Sequence, residues 1–327
     1  MVGLGGFSAD GKSLAVSLNG PTLTDDVWLL DLPAAAAHQV TFSSLAGIDP
    51  KTFVEPTLIH YKSFDDREIP AFLYLPKNAP RDRSLPVLLV VHGGPEIQEQ
   101  PYFWAPYQYF VHRGYAVLTP NIRGSSGYGK AFLALDNGRK RWDALKDLAA
   151  AVDWIGRHPS LDKRRVAIFG ASYGGFATLA MLTHYPDLFV AGVDFYGFAD
   201  FKSFLENTAP YRRPIRIAEY GDPQKDAAFF DEISPARHVD RIKAPLFVMQ
   251  GANDRIVPAS ESERIVKEIK DRGGSVKYLL LPDEGHGLGK LANRIKTFGE
   301  METFLDQFLP AGKAGEKPGG GNGGPRR

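Results

Sequence analysis

The chain has 327 residues, of which 43% are hydrophobic and 24% charged, an ordinary composition for a globular protein with a large core. Its 39 basic and 38 acidic side chains give a net charge of +1, so nothing suggests a nucleic-acid partner or an acidic membrane. The chain has no cysteine, which excludes disulfide bonds, thiolate catalysis and cysteine-ligated zinc.

Two further features bear on location. Residues 1–10 lack the basic stretch and apolar run of a secretory signal, and no apolar run approaches the roughly 20 residues of a membrane helix. The missing cysteines agree with a reducing compartment. We therefore expect a cytoplasmic protein without a membrane partner.

Residues 1–50 contain two strand patterns, at 7–16 and 26–32, beside the turn signals Asp10-Gly11 and Asn19-Gly20. Such a pair resembles part of a β-propeller blade. A propeller needs about four to eight blades, and the chain has no second copy. The alternative is an ordinary two-strand extension packed on the main domain.

Residues 51–310 alternate strand and helix patterns, which predicts one α/β domain. The predicted strands are 57–64, 69–75, 86–91, 115–119, 165–169, 190–194, 245–249 and 276–281. The predicted helices are 104–113, 142–158, 175–184, 260–272 and 295–308. This order implies a mostly parallel central sheet with helices on both faces. Residues 311–327, rich in glycine and proline, are predicted to be a disordered tail.

A candidate nucleophile, Ser172, lies in a G-x-S-x-G motif that runs from Gly170 to Gly174. The motif alone is a weak signal, and a glycine-rich structural turn is the alternative. Here it follows a predicted strand directly and opens a predicted helix, the order that a nucleophile elbow requires. The sequence therefore predicts an α/β-hydrolase fold with Ser172 as its nucleophile.

A base and its orienting carboxylate are predicted on the last two strands. His286 follows strand 276–281, and Asp254 follows strand 245–249, so the three residues occur in the order Ser, Asp, His that α/β-hydrolases use. Asp283 and Glu284 are rival carboxylates, but their closeness to His286 in sequence makes the far ring nitrogen hard to reach. A surface histidine and a turn aspartate are the alternative readings of this pair.

An oxyanion hole is predicted after strand 86–91, where the chain reads His92-Gly-Gly-Pro95. Such a loop can present backbone N–H groups to a tetrahedral intermediate. We expect Gly94 to supply one N–H and Tyr173, next to the nucleophile, to supply the other. A tight structural loop is the alternative.

Aromatic residues are dense at 194–204, and we expect Phe198, Phe201 and Phe204 to line an apolar substrate pocket. Packing of a lid-like helix onto the core is the alternative. Arg123 and Arg255 could bind a carboxylate, although ion pairing within a loop is the expected role of each.

These motifs, together with the run Asn121–Gly129, resemble in their order the catalytic domain of the prolyl oligopeptidase family of serine peptidases. The chain is most similar to the acylaminoacyl-peptidase-like branch, over about residues 50–310. The resemblance implies a triad of Ser172, Asp254 and His286, Gly94 and Tyr173 as oxyanion donors, no cofactor or metal, and cleavage of short peptides or N-acylated amino acids. That family carries a full propeller ahead of the hydrolase domain, whereas about one partial blade precedes it here, so we expect a more open pocket.

Three functional hypotheses follow. The first is a serine peptidase acting on short peptides or N-acylated amino acids, the second a carboxylesterase acting on small acyl esters, and the third a non-catalytic binding domain. An exposed strand edge within residues 1–50 would favour a homo-oligomer.

Overall fold

A computed structural model describes residues 1–310, and the predicted tail at 311–327 lies outside the described residues. The described part of the chain contains two separate sheets. The first sheet is an antiparallel meander in the order β1-β2-β3-β4. Its strands are β1 Val2–Phe7, β2 Ser13–Gly20, β3 Leu23–Asp31 and β4 Ala36–Gln39. Four strands form here rather than the predicted two. The sequence did not indicate β1, in which three of six residues are glycine, or β4, which has only four residues. The blade-like character of residues 1–50 stays a prediction.

The second sheet has eight strands in the order β12-β11-β10-β9-β7-β8-β6-β5. They are β5 Thr57–Lys62, β6 Glu68–Tyr74, β7 Leu85–Val91, β8 Ala116–Pro120, β9 Leu161–Ala171, β10 Ala191–Phe195, β11 Leu246–Gly251 and β12 Val276–Leu281. Strands β7 to β12 pair in parallel, whereas β6 pairs antiparallel with both β5 and β8. The predicted mostly parallel sheet is confirmed.

Nine helices connect these strands within residues 1–310. They are α1 Ala105–His112, α2 Lys130–Leu133, α3 Arg141–Ile155, α4 Tyr173–His184, α5 Phe201–Asn207, α6 Arg213–Tyr220, α7 Ala227–Ile233, α8 Ala259–Asp271 and α9 Leu291–Phe308. The five predicted helices are all present, with shifted ends. Helices α2, α5, α6 and α7 were not predicted, because each is short and follows loop-like sequence.

Both faces of the second sheet are covered, which explains why its strands read as continuous apolar runs. Every residue of β7 is buried, and alternate residues enter different cores: Val87 and Leu89 join α3, α4 and α8 on one face, and Leu88 and Val90 join α1 and α9 on the other. This arrangement is the α/β-hydrolase fold. No helix within residues 1–310 is long and apolar enough to cross a membrane.

Candidate active site

Ser172 lies at the sharp turn between β9 and α4. Its backbone has φ 57° and ψ −119°, a left-handed conformation that a residue with a side chain rarely adopts and that needs support from its surroundings. Glycine provides that support on both sides: a Cβ at Gly170 would lie 2.1 Å from the carbonyl oxygen of Gly174, and a Cβ at Gly174 would lie 2.1 Å from that of Val91. The G-x-S-x-G spacing therefore reflects backbone contacts closer than any side chain permits.

The three predicted catalytic side chains meet at the carboxyl edge of the sheet. The Oγ atom of Ser172 lies 2.9 Å from Nε2 of His286, and Nδ1 of His286 lies 2.7 Å from Oδ2 of Asp254. Because one ring nitrogen faces the carboxylate, the other is free to accept the serine proton. The arrangement can activate the Ser172 hydroxyl as a nucleophile.

Asp254 is held for this role by its own loop. Its Oδ1 accepts the N–H groups of Ile256 at 2.8 Å and Val257 at 2.9 Å, and Nε2 of Gln250 lies 3.3 Å from Oδ2. Burial acts to raise the pKa of Asp254, but the hydrogen bonds from His286 and the two backbone N–H groups outweigh it and hold that pKa below its usual value. The carboxylate therefore stays ionised and can stabilise a protonated His286.

The rival carboxylates have other partners. Glu284 accepts the backbone N–H groups of Gly289 and Lys290, and Asp283 pairs with the Lys290 ammonium at 2.6 Å. Both carboxylates therefore brace the loop that carries His286 instead of orienting its ring. Beneath the imidazole, the ring of Tyr196 lies 4.7 Å from it between centroids.

The predicted oxyanion loop lies beside the nucleophile. Gly94 has φ +114°, a conformation suited to glycine, and its carbonyl oxygen accepts a 3.2 Å hydrogen bond from Nη1 of Arg216 on α6. The backbone N–H groups of Gly94 and Tyr173 donate to no acceptor within residues 1–310. His92 is buried and contacts Ser125 and Gly93 with its two ring nitrogens, and burial lowers its pKa. The neutral imidazole of His92 therefore holds the oxyanion loop in place.

The side chain of Tyr173 joins a buried ionic network that no sequence motif predicts. Arg141 on α3 donates to the Tyr173 hydroxyl at 3.1 Å and also to the carboxylates of Asp136 and Glu219. The Arg141 side chain is 1% exposed. Because Glu219 belongs to α6, the network links the elbow to the helix that contacts the oxyanion loop.

The predicted substrate pocket residues lie in a packed aromatic cluster. Phe198, Phe201 and Phe204 are at most 4% exposed, and Phe198 stacks on Phe204 at 4.1 Å and on Phe176 of α4 at 4.8 Å. These contacts place the three rings against the helix that follows the nucleophile, as core residues. Their contact with substrate stays a prediction.

The two arginines have different surroundings. Arg123 is buried and pairs with Asp147 at 2.8 Å and Asp65 at 2.9 Å, which agrees with the loop ion-pair role. Arg255 is exposed and forms no ion pair within residues 1–310, so the same prediction is wrong for Arg255.

A cavity of about 370 Å³ opens next to Ser172, on the sheet face opposite the Phe198 cluster. We call it the Glu99 cavity; its walls include His92, Gly93, Glu99, Trp104, Tyr196 and Phe298. No sequence motif predicts this cavity, because its wall is assembled from five separate segments. No group of three or more His, Asp or Glu side chains within the described part of the chain is arranged to hold a metal ion.

Fold and site define a hydrolase with a serine, histidine and aspartate in hydrogen-bond contact, and comparison with known proteins gives its family. Residues 101–311 match the model of the prolyl oligopeptidase family. The chain belongs to the prolyl oligopeptidase family.

Individual relatives agree with this placement. The chain is 36% identical to dipeptidyl aminopeptidase BIII of Pseudoxanthomonas mexicana, over 90% of this chain and 46% of that protein. Among solved structures, a puromycin-hydrolyzing peptidase of Mycobacterium tuberculosis superposes with a TM-score of 0.84 at 28% identity, covering 94% of this chain and 47% of that one. An acylaminoacyl peptidase of Pyrococcus horikoshii gives 0.82 at 25% identity, covering 96% and 51%. The chain thus spans about half the length of these relatives.

Proposed function

We propose that the chain is a serine peptidase that cleaves short peptides or N-acylated amino acids through an acyl-enzyme on Ser172. The observation that carries this proposal is the continuous contact from the Ser172 hydroxyl through His286 to the ionised, buried Asp254. Membership of a peptidase family supports the substrate class, as do the relatives, which are peptidases of dipeptidyl, acylaminoacyl and puromycin-hydrolyzing type.

The reaction proceeds in two halves. The Ser172 oxygen attacks the scissile carbonyl while its proton moves to Nε2 of His286. The imidazolium then protonates the leaving amine, and the C–N bond breaks to give the acyl-enzyme and a free amine. In the second half, a water molecule gives its proton to His286 and attacks the acyl carbon, and the proton returns to Ser172 as the acid product leaves.

Two backbone donors stabilise the charge that develops on the carbonyl oxygen. The N–H groups of Gly94 and Tyr173 lack other acceptors among the described residues, and Tyr173 begins α4, so the helix dipole adds to their effect. Losing one such donor typically costs about 10²–10³-fold in turnover. Arg216 holds Gly94 through its carbonyl oxygen and so positions the first donor.

The acyl group or P1 side chain is proposed to contact the Phe198, Phe201 and Phe204 cluster, since these rings pack beside the helix that Tyr173 opens.

The cytoplasmic location and a homo-oligomer formed through the exposed β1 stay predictions.

Amide and ester substrates test the proposal. Purified chain is assayed with aminoacyl and acetyl-aminoacyl p-nitroanilides beside short-chain p-nitrophenyl esters, with the Ser172→Ala variant as control. We expect turnover of at least one anilide, lost in Ser172→Ala, and labelling of Ser172 by a fluorophosphonate.

The possible failures point to different alternatives. Ester cleavage without any anilide turnover would replace the peptidase with a carboxylesterase. Absence of fluorophosphonate labelling in the unaltered chain would contradict both enzymatic functions.

A further inference from the structure

The Glu99 cavity has a fixed polar wall that the proposed mechanism does not use. Glu99 is anchored through its backbone: its N–H donates to Oδ1 of Asn121 at 2.7 Å, and its carbonyl oxygen accepts from Nδ2 of Asn121 at 3.0 Å. The residue is only 6% exposed. The Tyr107 hydroxyl hydrogen-bonds its carboxyl group, whereas its Oε1 has no hydrogen-bond partner within residues 1–310. A buried carboxylate oxygen without a partner is costly, and such groups in native structures call for an explanation.

Much of the remaining wall is aromatic, and the other lining residues include aliphatic side chains, Gln98 and Arg294 of α9. Trp104 and Tyr107 pack edge to face at 4.5 Å, and Phe298 of α9 meets the Trp104 ring at 5.8 Å. Aromatic faces attract cations, and a carboxylate among them adds a charge-assisted acceptor. A cage of this composition is suited to an ammonium group more than to a neutral or anionic one.

The cavity also has the right position to affect the substrate. Its wall includes Gly93 of the oxyanion loop, Ala171 next to the nucleophile, and Leu288 close after His286. Because the Phe198 cluster belongs to the core on the other sheet face, the cavity and that cluster flank Ser172 from opposite sides. The cavity is therefore open to one part of a substrate held at Ser172, whereas the Phe198 cluster is buried.

We propose that the Glu99 cavity binds a positively charged ammonium group of the substrate, with Glu99 as the specificity-determining residue. This inference rests on the proposed function, since it assigns a preference to the same site. The substrate class becomes peptides or acylated amino acids that carry an amine close to the scissile bond.

The charged and titratable neighbours give the preference a pH dependence. Glu99 is surrounded by three tyrosines: Tyr74 on β6, Tyr102, and Tyr107 on α1. Two further described groups face the cavity from other elements, Arg294 on α9 and His92 on the oxyanion loop. Burial raises the pKa of Glu99 to about 7, whereas those of the three tyrosines lie above their usual range. Glu99 is thus the group that changes charge near neutral pH, and ammonium binding strengthens as pH rises through about 7.

Inhibition by a matched pair of small molecules tests the proposal. Pentylammonium and 1-pentanol are compared as inhibitors of p-nitrophenyl acetate hydrolysis, a reaction whose substrate is neutral. At pH 8 we expect the ammonium to bind about 10–100-fold more tightly than the alcohol, the range of a hydrogen bond to a charged group. The Glu99→Gln variant, which keeps the shape and loses the charge, should bring this ratio close to one.

A control variant on the same loop tests whether the effect depends on the position of the carboxylate that is removed. Glu96 lies 3.8 Å from Arg216 and is not part of the cavity wall, so Glu96→Gln should keep the ratio of the unaltered chain. In the unaltered chain the ratio should also fall as pH is lowered from 8 to 6, and in Glu99→Gln it should stay flat.

Equal inhibition by the two compounds in the unaltered chain, or an unchanged ratio in Glu99→Gln, would overturn the inference. Ester hydrolysis by Glu99→Gln that a second change, Ser172→Ala, abolishes would show that the variant is folded and uses Ser172. Anilide turnover by the unaltered chain tests the proposed function separately. Loss of all hydrolysis in the unaltered chain would instead contradict the proposed function.

Discussion

Nδ1 of His286 lies 2.7 Å from Oδ2 of Asp254, although 32 residues separate them in the chain. They meet because β11 and β12 are parallel neighbours, so the loops after both strands emerge at the same edge. The same topology brings Ser172, which follows β9, to that edge. The contact fixes which nitrogen of His286 faces the serine.

Replacing Asp254 with Asn tests this contact. An amide can donate to Nδ1 and so favour the wrong imidazole tautomer, and it leaves the imidazolium without its counter-charge. We expect kcat for ester or anilide hydrolysis to fall about 10³–10⁴-fold with little change in the melting temperature. The matched control is Asp283→Asn, because Asp283 pairs with Lys290 on the same loop. A larger loss in Asp283→Asn than in Asp254→Asn would mean that Asp283 orients His286.

The close approach at Gly174 predicts a strong dependence on residue size. Its missing Cβ would lie 2.1 Å from the Val91 carbonyl oxygen, so Gly174→Ala must displace β7 or the elbow. We expect loss of activity and a clearly lower melting temperature. Gly299 on the exposed side of α9 has no atom within 4 Å of its missing Cβ, and Gly299→Ala should stabilise the chain by about 0.5–1 kcal/mol. Equal thermal shifts in the two variants would contradict this account.

The network around Arg141 predicts a large loss of stability. Arg141→Met leaves Asp136 and Glu219 as buried carboxylates without their cation. Removing one partner of a buried ion pair typically lowers the free energy of unfolding by about 3–5 kcal/mol. Urea denaturation measures it. The control is Lys267→Met, which removes an exposed partner of Asp271 on α8 and should leave the unfolding curve almost unchanged. A similarly small effect for Arg141→Met would show that the network contributes no net stability.

Asp194 gives the fold a pH dependence. Its Oδ1 accepts the N–H of Gly197 at 2.9 Å, and burial raises the pKa of Asp194 from 3.8 to about 7. Because the folded state binds this proton more tightly, its stabilising effect is complete below pH 3.8 and is lost as pH rises through about 7. Relative to Asp194→Asn, the unaltered chain should lose about 4 kcal/mol of unfolding free energy between pH 4 and pH 8. The prediction would be refuted if the unfolding free energies of the unaltered chain and Asp194→Asn changed equally between pH 4 and pH 8.

The meeting of Ser172, Asp254 and His286 was predictable from sequence because its evidence is local. Each of Ser172, Asp254 and His286 follows an apolar strand within a few residues, and parallel order then fixes where they meet. Arg141 and Glu99 carry no comparable signal. Their partners come from α6 and from the segment after β8, so their roles exist only once the chain has folded. The aromatic residues around Phe198 were visible in the sequence, but composition alone cannot show whether such rings line a pocket or pack in the core.

Helix α4 extends from the nucleophile into the interior, and every residue from Tyr173 to Thr183 is buried. Amide protons in such a helix exchange with solvent only when much of the domain opens, so those of α4 should be among the slowest in the chain. The Ser172 backbone is thus joined directly to the part of the fold that we expect to open last. We expect any regulation of the proposed activity to act on the loops that carry His286 and Gly94, which lie outside this helix.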